Sequence, residues 1–398
     1  MKHKYQISCL CLSCLLLFPL FSNVKGQESD SAIKHLTLLF TGDIMGHDSQ
    51  IASAFDPETG KYNYDSVFKY IRPVLSDADI TIANLEVTLA GPPYKGYPQF
   101  SSPADLAVAC VNAGVDYFVV ANNHAADRGG KGILSTINKL DSIGIPHTGS
   151  YRNKAERDSL SPLMIHRNGI SLALLNYTYG TNGIRVPEPF IIDSLDRNII
   201  ATDIMKAKEK KADAIVLFVH WGTEYDTIPG KAQSSLAAFC LENGADLVIG
   251  SHPHVIQKMA WVKKSNGKDG IVVYSLGNFI SNQRKPKTDG GTIVKIELTK
   301  KNDTISVANA GYYLTWVYTP VENSKTRFYI LPCSVFGNKQ EFFNKSADFS
   351  MMSVFIYESR KLLNSQNEGI NEYIFRENAW QLDNSGKMSN FIPDCRIK

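Results

Sequence analysis

The sequence predicts an α/β fold in which short buried strands deliver polar groups to one edge of a sheet, and three breaks in hydrophobicity carry that prediction. Ala214 to Val219 is an apolar run that ends in His220-Trp221-Gly222-Thr223-Glu224-Tyr225. Asp246 to Ile249 ends in Gly250-Ser251-His252-Pro253-His254, and Ile271 to Ser275 ends in Leu276-Gly277-Asn278-Phe279. Hydrophobic strands that stop at His, Asn, Asp or Glu are the pattern of an open α/β sheet with a site at the carboxyl ends of its strands.

Taken in order, the chain repeats this unit. His35 to Phe40 is a first buried strand, broken by Thr41-Gly42-Asp43-Ile44-Met45-Gly46-His47-Asp48, with Asp43 as a candidate ligand. Tyr64 to Ser76 has helical spacing at Val67, Phe68, Ile71, Val74 and Leu75, and leads into a strand over Asp79 to Ala83 that ends in Asn84-Leu85-Glu86. Ala90 to Pro103, rich in Gly and Pro, reads as a surface loop near the site. Pro103 opens a helix, and Asp116 to Val120 is a third strand, ending in Ala121-Asn122-Asn123-His124-Ala125-Ala126-Asp127-Arg128-Gly129 before a helix over Lys131 to Leu140. Strands follow at Ile145 to Thr148, Leu163 to Ile165 and Ile170 to Asn176, then a loop at Thr178 to Pro189 and helices at Thr202 to Lys211 and Lys231 to Asn243, the last capped by Gly244. Gly291 to Leu298 and Thr304 to Thr315 alternate as antiparallel, half-exposed strands. Beyond Val321, helical periodicity appears over Asp348 to Leu363, with no strand end that carries a polar motif.

At 398 residues, with 43% hydrophobic and 20% charged, the chain can bury a sizeable core. Lys2 and Lys4, an apolar run from Ile7 to Phe21, and small residues at Val24 and Gly26 have the order of a secretory signal peptide, cleaved near Gly26. The expected organisation is therefore a signal peptide over 1–26, a main domain over 33–320 and a C-terminal α/β extension over 321–398. Export places the chain in the periplasm or cell envelope. Loss of Lys2, Lys4 and Lys25 with the signal leaves 39 of the 42 basic residues against 39 acidic ones. That balance argues against nucleic acid as a partner. Cys110 and Cys240 read as buried thiols in helices, and their spacing fits no zinc motif, while Cys333 and Cys395 could pair in an oxidising compartment.

His252-Pro253-His254 places two imidazoles in a proline-stiffened turn, able to face one ion or two adjacent ones. With His220, Asn123, Glu86 and Asp43, each at a strand end, the set mixes imidazole nitrogen with carboxylate and amide oxygen. Such ligands suit divalent manganese, iron or zinc. Two such ions can clamp the attacking and leaving oxygens of a displacement at phosphorus. His124 would then be a general acid, with Asp127 one turn on to orient it. Single residues have plainer readings: Asp43 as a helix cap, Glu86 as a solvated turn acid, Asn84 and Asn278 as loop ties. Trp221, Glu224 and Tyr225 could wall the site or touch substrate.

The six motifs, Gly42-Asp43-Ile44-Met45, Ala83-Asn84-Leu85-Glu86, the 121–129 segment, His220 to Tyr225, Gly250 to His254 and Tyr274 to Phe279, resemble in order those of poly-gamma-glutamate capsule synthesis proteins of the CapA type. That family is similar to the calcineurin-like metallophosphoesterases. The resemblance implies a four-layer α-β-β-α sandwich and a dinuclear metal centre held by Asp43, Glu86, Asn123, His220, His252 and His254. Glu86 stands where phosphoesterases place a bridging aspartate. Two departures stand out: Ile44-Met45 follows Asp43 where an Asp-x-His is usual, with His47 four positions on, and Asn84-Leu85-Glu86 replaces Gly-Asp. Either His47 substitutes as a ligand or one metal position is weaker.

The resulting expectation is an exported, metal-dependent hydrolase of capsule or exopolymer assembly, in or near an envelope biosynthesis complex. Its partner would be an anionic polymer or a phosphorylated small molecule. Two alternatives stand beside it: a non-catalytic envelope subunit that binds an anionic polymer, and a periplasmic nucleotide or sugar-phosphate phosphoesterase.

Overall fold

The computed structural model describes residues 32–384. The signal segment and Cys395 lie outside the described residues, so the expected cleavage and the Cys333 pairing lie outside them too. The main strands, in chain order, are β1 (Lys34–Ile44), β2 (Ile80–Leu85), β3 (Tyr117–Val119), β4 (His147–Thr148), β5 (Leu163–Arg167), β6 (Ile170–Thr178), β7 (Ala214–His220), β8 (Leu247–Ser251), β9 (Met259–Lys263), β10 (Asp269–Val273), β11 (Asn278–Ile280), β12 (Gly290–Lys301), β13 (Thr304–Tyr318), β14 (Tyr329–Pro332), β15 (Asn371–Arg376) and β16 (Ala379–Leu382). Ten of them form one sheet, in the order β16-β15-β13-β12-β1-β2-β3-β4, with β11 on β1 and β14 on β13. The other six form a second sheet, β9-β10-β8-β7-β6-β5.

The two sheets face each other because their strands are apolar on alternate sides, and the sides match. On β1, Leu36, Leu38 and Phe40 join Leu172, Leu174, Val216, Phe218 and Ile249 in one buried cluster between the sheets. Phe40 meets Phe218 across that gap at 6.5 Å between ring centroids. The intervening Leu39, with Ala83, Leu85 and Phe118, faces the other way, onto the helix α1 (Asp105–Ala113) through Leu106 and Cys110. On the second sheet Ile215, Leu217 and Val219 face the helices α2 (Arg197–Glu209) and α3 (Lys231–Asn243) through Ile200, Ile204, Leu236 and Cys240. Helix, sheet, sheet, helix is the four-layer sandwich expected from the motifs. Each such Leu, Ile or Phe removed from water contributes about 1.5–3 kcal/mol.

Several elements differ from their sequence reading. The single helix expected over Tyr64 to Ser76 is two short turns, Asp65–Phe68 and Arg72–Leu75. Pro73 has no N–H to donate into a preceding turn, so it begins a new one. Strand β9 was missed: it pairs antiparallel with β10, and only two of its five residues are buried. The outer third of β13 alternates as expected, but Ala310 to Tyr318 is buried on both faces. One of those faces is covered by α4 (Ser346–Gln366), whose Met352, Phe355 and Ile356 pack with Tyr312, Leu314 and Trp316. Past residue 320, β14 pairs antiparallel with β13 and β15 parallel to it, so this segment extends the larger sheet. Cys110, Cys240 and Cys333 are buried, and no disulfide joins them among the described residues. No helix among the described residues is long and apolar enough to cross a membrane.

Candidate metal centre

Parallel pairing in register brings the polar strand ends together. On the larger sheet Asp43 lies opposite Asn84 of β2 and opposite Asn278 of β11. On the smaller sheet His220 lies opposite Ser251 of β8 and Thr178 of β6. Close backbone approach makes this possible at two glycines. A Cβ on Gly42 would stand 1.9 Å from the Gly277 carbonyl oxygen, which accepts the Asp43 N–H at 3.1 Å, and one on Gly250 would stand 2.2 Å from the Tyr274 oxygen. Both contacts are with backbone, which yields less than a side chain. Gly42→Ala is therefore expected to lower the unfolding free energy by about 1–3 kcal/mol, measured by urea denaturation, and an unchanged midpoint would contradict the close approach.

The ligand candidates converge. Asp43, Glu86 and His254 form one buried group and Glu86, His220 and His252 a second, each with ligand atoms within 4.8 Å of one another, and Glu86 belongs to both. Its Oε1 lies 3.4 Å from His220 Nε2 and 3.8 Å from His254 Nε2. The Asn123 side-chain oxygen lies 2.9 Å from the same His220 Nε2. Both carboxylate oxygens of Glu86, and Nδ1 of His252, are buried without a hydrogen-bond partner among the described residues. Such orphans are costly in a folded protein unless something outside the chain satisfies them. Lone-pair donors that face one another without a proton donor between them suit a divalent cation, and imidazole with carboxylate suits a transition metal.

Electrostatics agree with that fit. Burial, reinforced by the charge of Asp43, pushes Glu86 well above the ordinary carboxylate range. Burial works the same way on Asp43, but the hydrogen bond and charge of His254 and the Asn84 amide overcome it and hold Asp43 low. Burial and the neighbouring imidazoles drive His220 far down and His252 to about 3, so both rings are neutral at ordinary pH. His252 and His254 have φ of 100° and 58°, a left-handed backbone that non-glycine residues rarely adopt and that is tolerated where function requires it.

The remaining polar residues hold the ligands in place. Asn84 Nδ2 donates to Asp43 Oδ1 at 2.8 Å, and its oxygen accepts from Asn122 Nδ2 at 3.3 Å. Asn278 Oδ1 lies 3.1 Å from His254 Nδ1, which also faces Asp43 Oδ2 at 3.0 Å. An Nδ1–H held there leaves His254 Nε2 as the lone pair on the Glu86 side. His124 Nδ1 lies 2.8 Å from Asp127 Oδ2, which also accepts the Phe100 N–H at 2.7 Å, and the Phe100 ring stands edge-on to His124 at 4.7 Å. His124 Nε2 makes no hydrogen bond among the described residues.

Residues 37–283 match the family model described as "Bacterial capsule synthesis protein PGA_cap". The chain belongs to this bacterial capsule synthesis family. It is 30% identical over 300 residues to the capsule biosynthesis protein CapA of Bacillus anthracis, covering 71% of this chain and 70% of that one. It is also 30% identical over 279 residues to the PGA biosynthesis protein CapA of Bacillus subtilis, covering 68% and 69%. Among solved structures it is similar to the NAD nucleotidase of Haemophilus influenzae, at 12% identity and a TM-score of 0.46 over 83% of this chain and 61% of that one. The calcineurin-like phosphoesterase YfkN of Bacillus subtilis matches at 13% identity and a TM-score of 0.43, over 83% and 98%.

Within this capsule synthesis chain the structure narrows two alternatives that the sequence leaves open. His47 belongs to neither ligand group: it begins a short helix, its Nδ1 lies 2.9 Å from Gln50 Oε1 and 3.2 Å from the Asn282 nitrogen, and Gln50 Oε1 also accepts its backbone N–H at 2.9 Å. Trp221 does not face substrate. It is 2% exposed, donates Nε1–H to the Tyr274 carbonyl at 2.8 Å, and stacks on the Tyr274 ring. Tyr225 and Glu224 stay exposed beside the centre, with the Tyr225 ring 6.4 Å from His254. Sequence reasoning missed Tyr179, which lies parallel to the His220 ring at 6.4 Å and meets His252 at 4.6 Å, and Asn182, whose oxygen accepts from Asn123. Their only signal was a position just after the strand that pairs with β7.

Proposed function

We propose that this protein is an exported, metal-dependent hydrolase of capsule or exopolymer assembly, acting at a phosphate or amide-type bond of an anionic polymer such as poly-gamma-glutamate or of its phosphorylated precursor. The observation that carries the reading is the unsatisfied carboxylate of Glu86, buried between two imidazole groups. Asp43, Glu86 and His254 would hold one divalent ion, manganese, iron or zinc, and Glu86, His220, His252 and Asn123 a second. When bound, such ions supply Lewis acidity and neutralise developing charge at the reacting centre.

The rest of the chemistry belongs to the chain. Asp127 fixes the His124 ring through Nδ1, leaving Nε2 as the atom that carries a proton to the leaving group. Tyr179 covers His220 and His252 and keeps water from their outer faces. Family membership and the capsule-related names of the relatives support the biological setting. The signal-like N-terminus supports export, into the periplasm or envelope and beside other biosynthetic components, and envelope fractionation of the tagged protein tests it.

The reading is tested by purifying residues 27–398, measuring bound transition metal, and assaying phosphodiesters and gamma-glutamyl peptides. Metal together with a turnover that His124→Ala abolishes supports it; a parent without stoichiometric metal leaves the non-catalytic polymer-binding subunit instead. A pH dependence follows from Glu86. Its carboxyl binds a proton in the metal-free fold well above the usual range and must lose it to ligate, so metal affinity should rise about tenfold per pH unit until that raised pKa is passed. His220 and His252, already neutral, add no slope above about pH 6.5. Calorimetry in buffers of different ionisation enthalpy should count one proton released by Glu86 as metal binds the parent protein.

A further inference from the structure

The centre itself is built of carboxyl, amide and imidazole groups, whereas the loop from Asn282 to Thr288 carries the cationic side chains Arg284, Lys285 and Lys287 beside it. Arg284 gives its guanidinium to the carbonyls of Ser281 and Val317. Lys285 is exposed, forms no ion pair among the described residues, and seats its Nζ 4.1 Å from the centroid of the Tyr225 ring. We propose that Lys285, held on Tyr225, is a subsite that binds a second anionic group of an oligomeric substrate, beyond the one engaged at the metal centre. This deepens the reading of a hydrolase acting on an anionic polymer and rests on it.

Geometry ties the lysine to the centre. The Tyr225 ring lies 6.4 Å from the His254 ring, so the ammonium stands within about 11 Å of His254, which an extended α-linked polyamide crosses in about three units and a gamma-linked one, with two more backbone atoms per unit, in about two. A small ester with a single anionic group at the metals does not reach it. The loop cannot drift from the centre, because the Asn278 that faces His254 Nδ1 also donates to Thr288 O at 2.8 Å and Gln283 Oε1 at 2.9 Å, and the Asn282 N–H is held by His47. Tyr225 itself is kept at φ 71°, in the left-handed region, with its N–H on the Pro253 carbonyl at 2.8 Å. A large aromatic residue tolerates that backbone where the position of its ring matters. Tyr97 and Tyr179, 67% and 47% exposed, add further aromatic surface around the centre for a chain to lie against.

The test is equilibrium binding, at low and high salt, of a short gamma-linked glutamate oligomer, linear polyphosphate and inorganic phosphate to the metal-loaded protein. Lys285→Ala is expected to weaken oligomer binding about fivefold and to flatten its salt dependence. Lys285→Glu weakens it further, Lys285→Arg restores it, and inorganic phosphate binding stays unchanged. A loss confined to the glutamate oligomer marks the group as carboxylate, and one confined to polyphosphate marks it as phosphate; both support the proposal. No oligomer binding by the parent, equal binding by parent and variants, or an equal loss for inorganic phosphate overturns it. Metal content and turnover are read on the same preparations. A parent that lacks both yet shows Lys285-dependent oligomer binding ends the hydrolase reading and leaves Lys285 as a polymer-binding residue.

Discussion

Glu86→Leu is expected to empty both metal positions at once, whereas His252→Ala and His254→Ala should each empty one. Glu86 is the only side chain shared by the two buried groups, while His252 and His254 belong to one each. Metal analysis of the purified variants should therefore fall from about two equivalents per chain to none for Glu86→Leu and to about one for each histidine variant. Activity should fall by more than about a hundredfold in all three, since even the outer supports of a ligand are worth 10- to 100-fold. Stability should move the other way in the metal-free protein. An unpartnered buried carboxylate costs about 1–3 kcal/mol, so Glu86→Leu should unfold at the same or a higher urea concentration than the metal-free parent. A variant that keeps metal, or loses it only through global unfolding, would contradict the bridging role.

His124→Asn should leave metal content unchanged and lower kcat by about 10²–10⁴, the usual contribution of a positioned acid or base. The ring lies outside both ligand groups and contacts Asp127 and Phe100 instead. Asp127→Asn should cost less, because the amide can still hold the ring but not stabilise its cation. A leaving group that needs no proton should narrow the gap between parent and His124→Asn. If that gap persists with such a substrate, His124 positions substrate and is not the acid.

The parallel strands and their polar ends were legible because burial on both faces leaves a continuous apolar run with an abrupt stop, as at Ala214 to His220. The pairing of ligands across two sheets was not. Asp43 and His254 are separated by 211 positions and meet across the two packed sheets, which no local pattern encodes. Tyr179 was invisible for a related reason: a half-exposed tyrosine in a loop has the composition of any surface turn, and only the fold lays it on His220. His47 misled because its spacing from Asp43 suggested a displaced ligand, while the short helix it begins turns its Nδ1 to the Asn282 amide. Pro73 was a visible breaker within Tyr64 to Ser76, outweighed there by the apolar spacing around it.

The centre draws Asp43, Glu86 and Asn123 from one sheet and His220, His252 and His254 from the other. Cations held there would act as rivets at the rim of two layers that deeper in adhere through oily contacts. Chelation should then loosen the molecule from this rim inward, with amide exchange quickening first around Asn84, Asn122 and Ser251 while Leu38, Phe40 and Phe218 stay protected. A metal-starved cell would hold a chain still folded at its centre but open at its working edge.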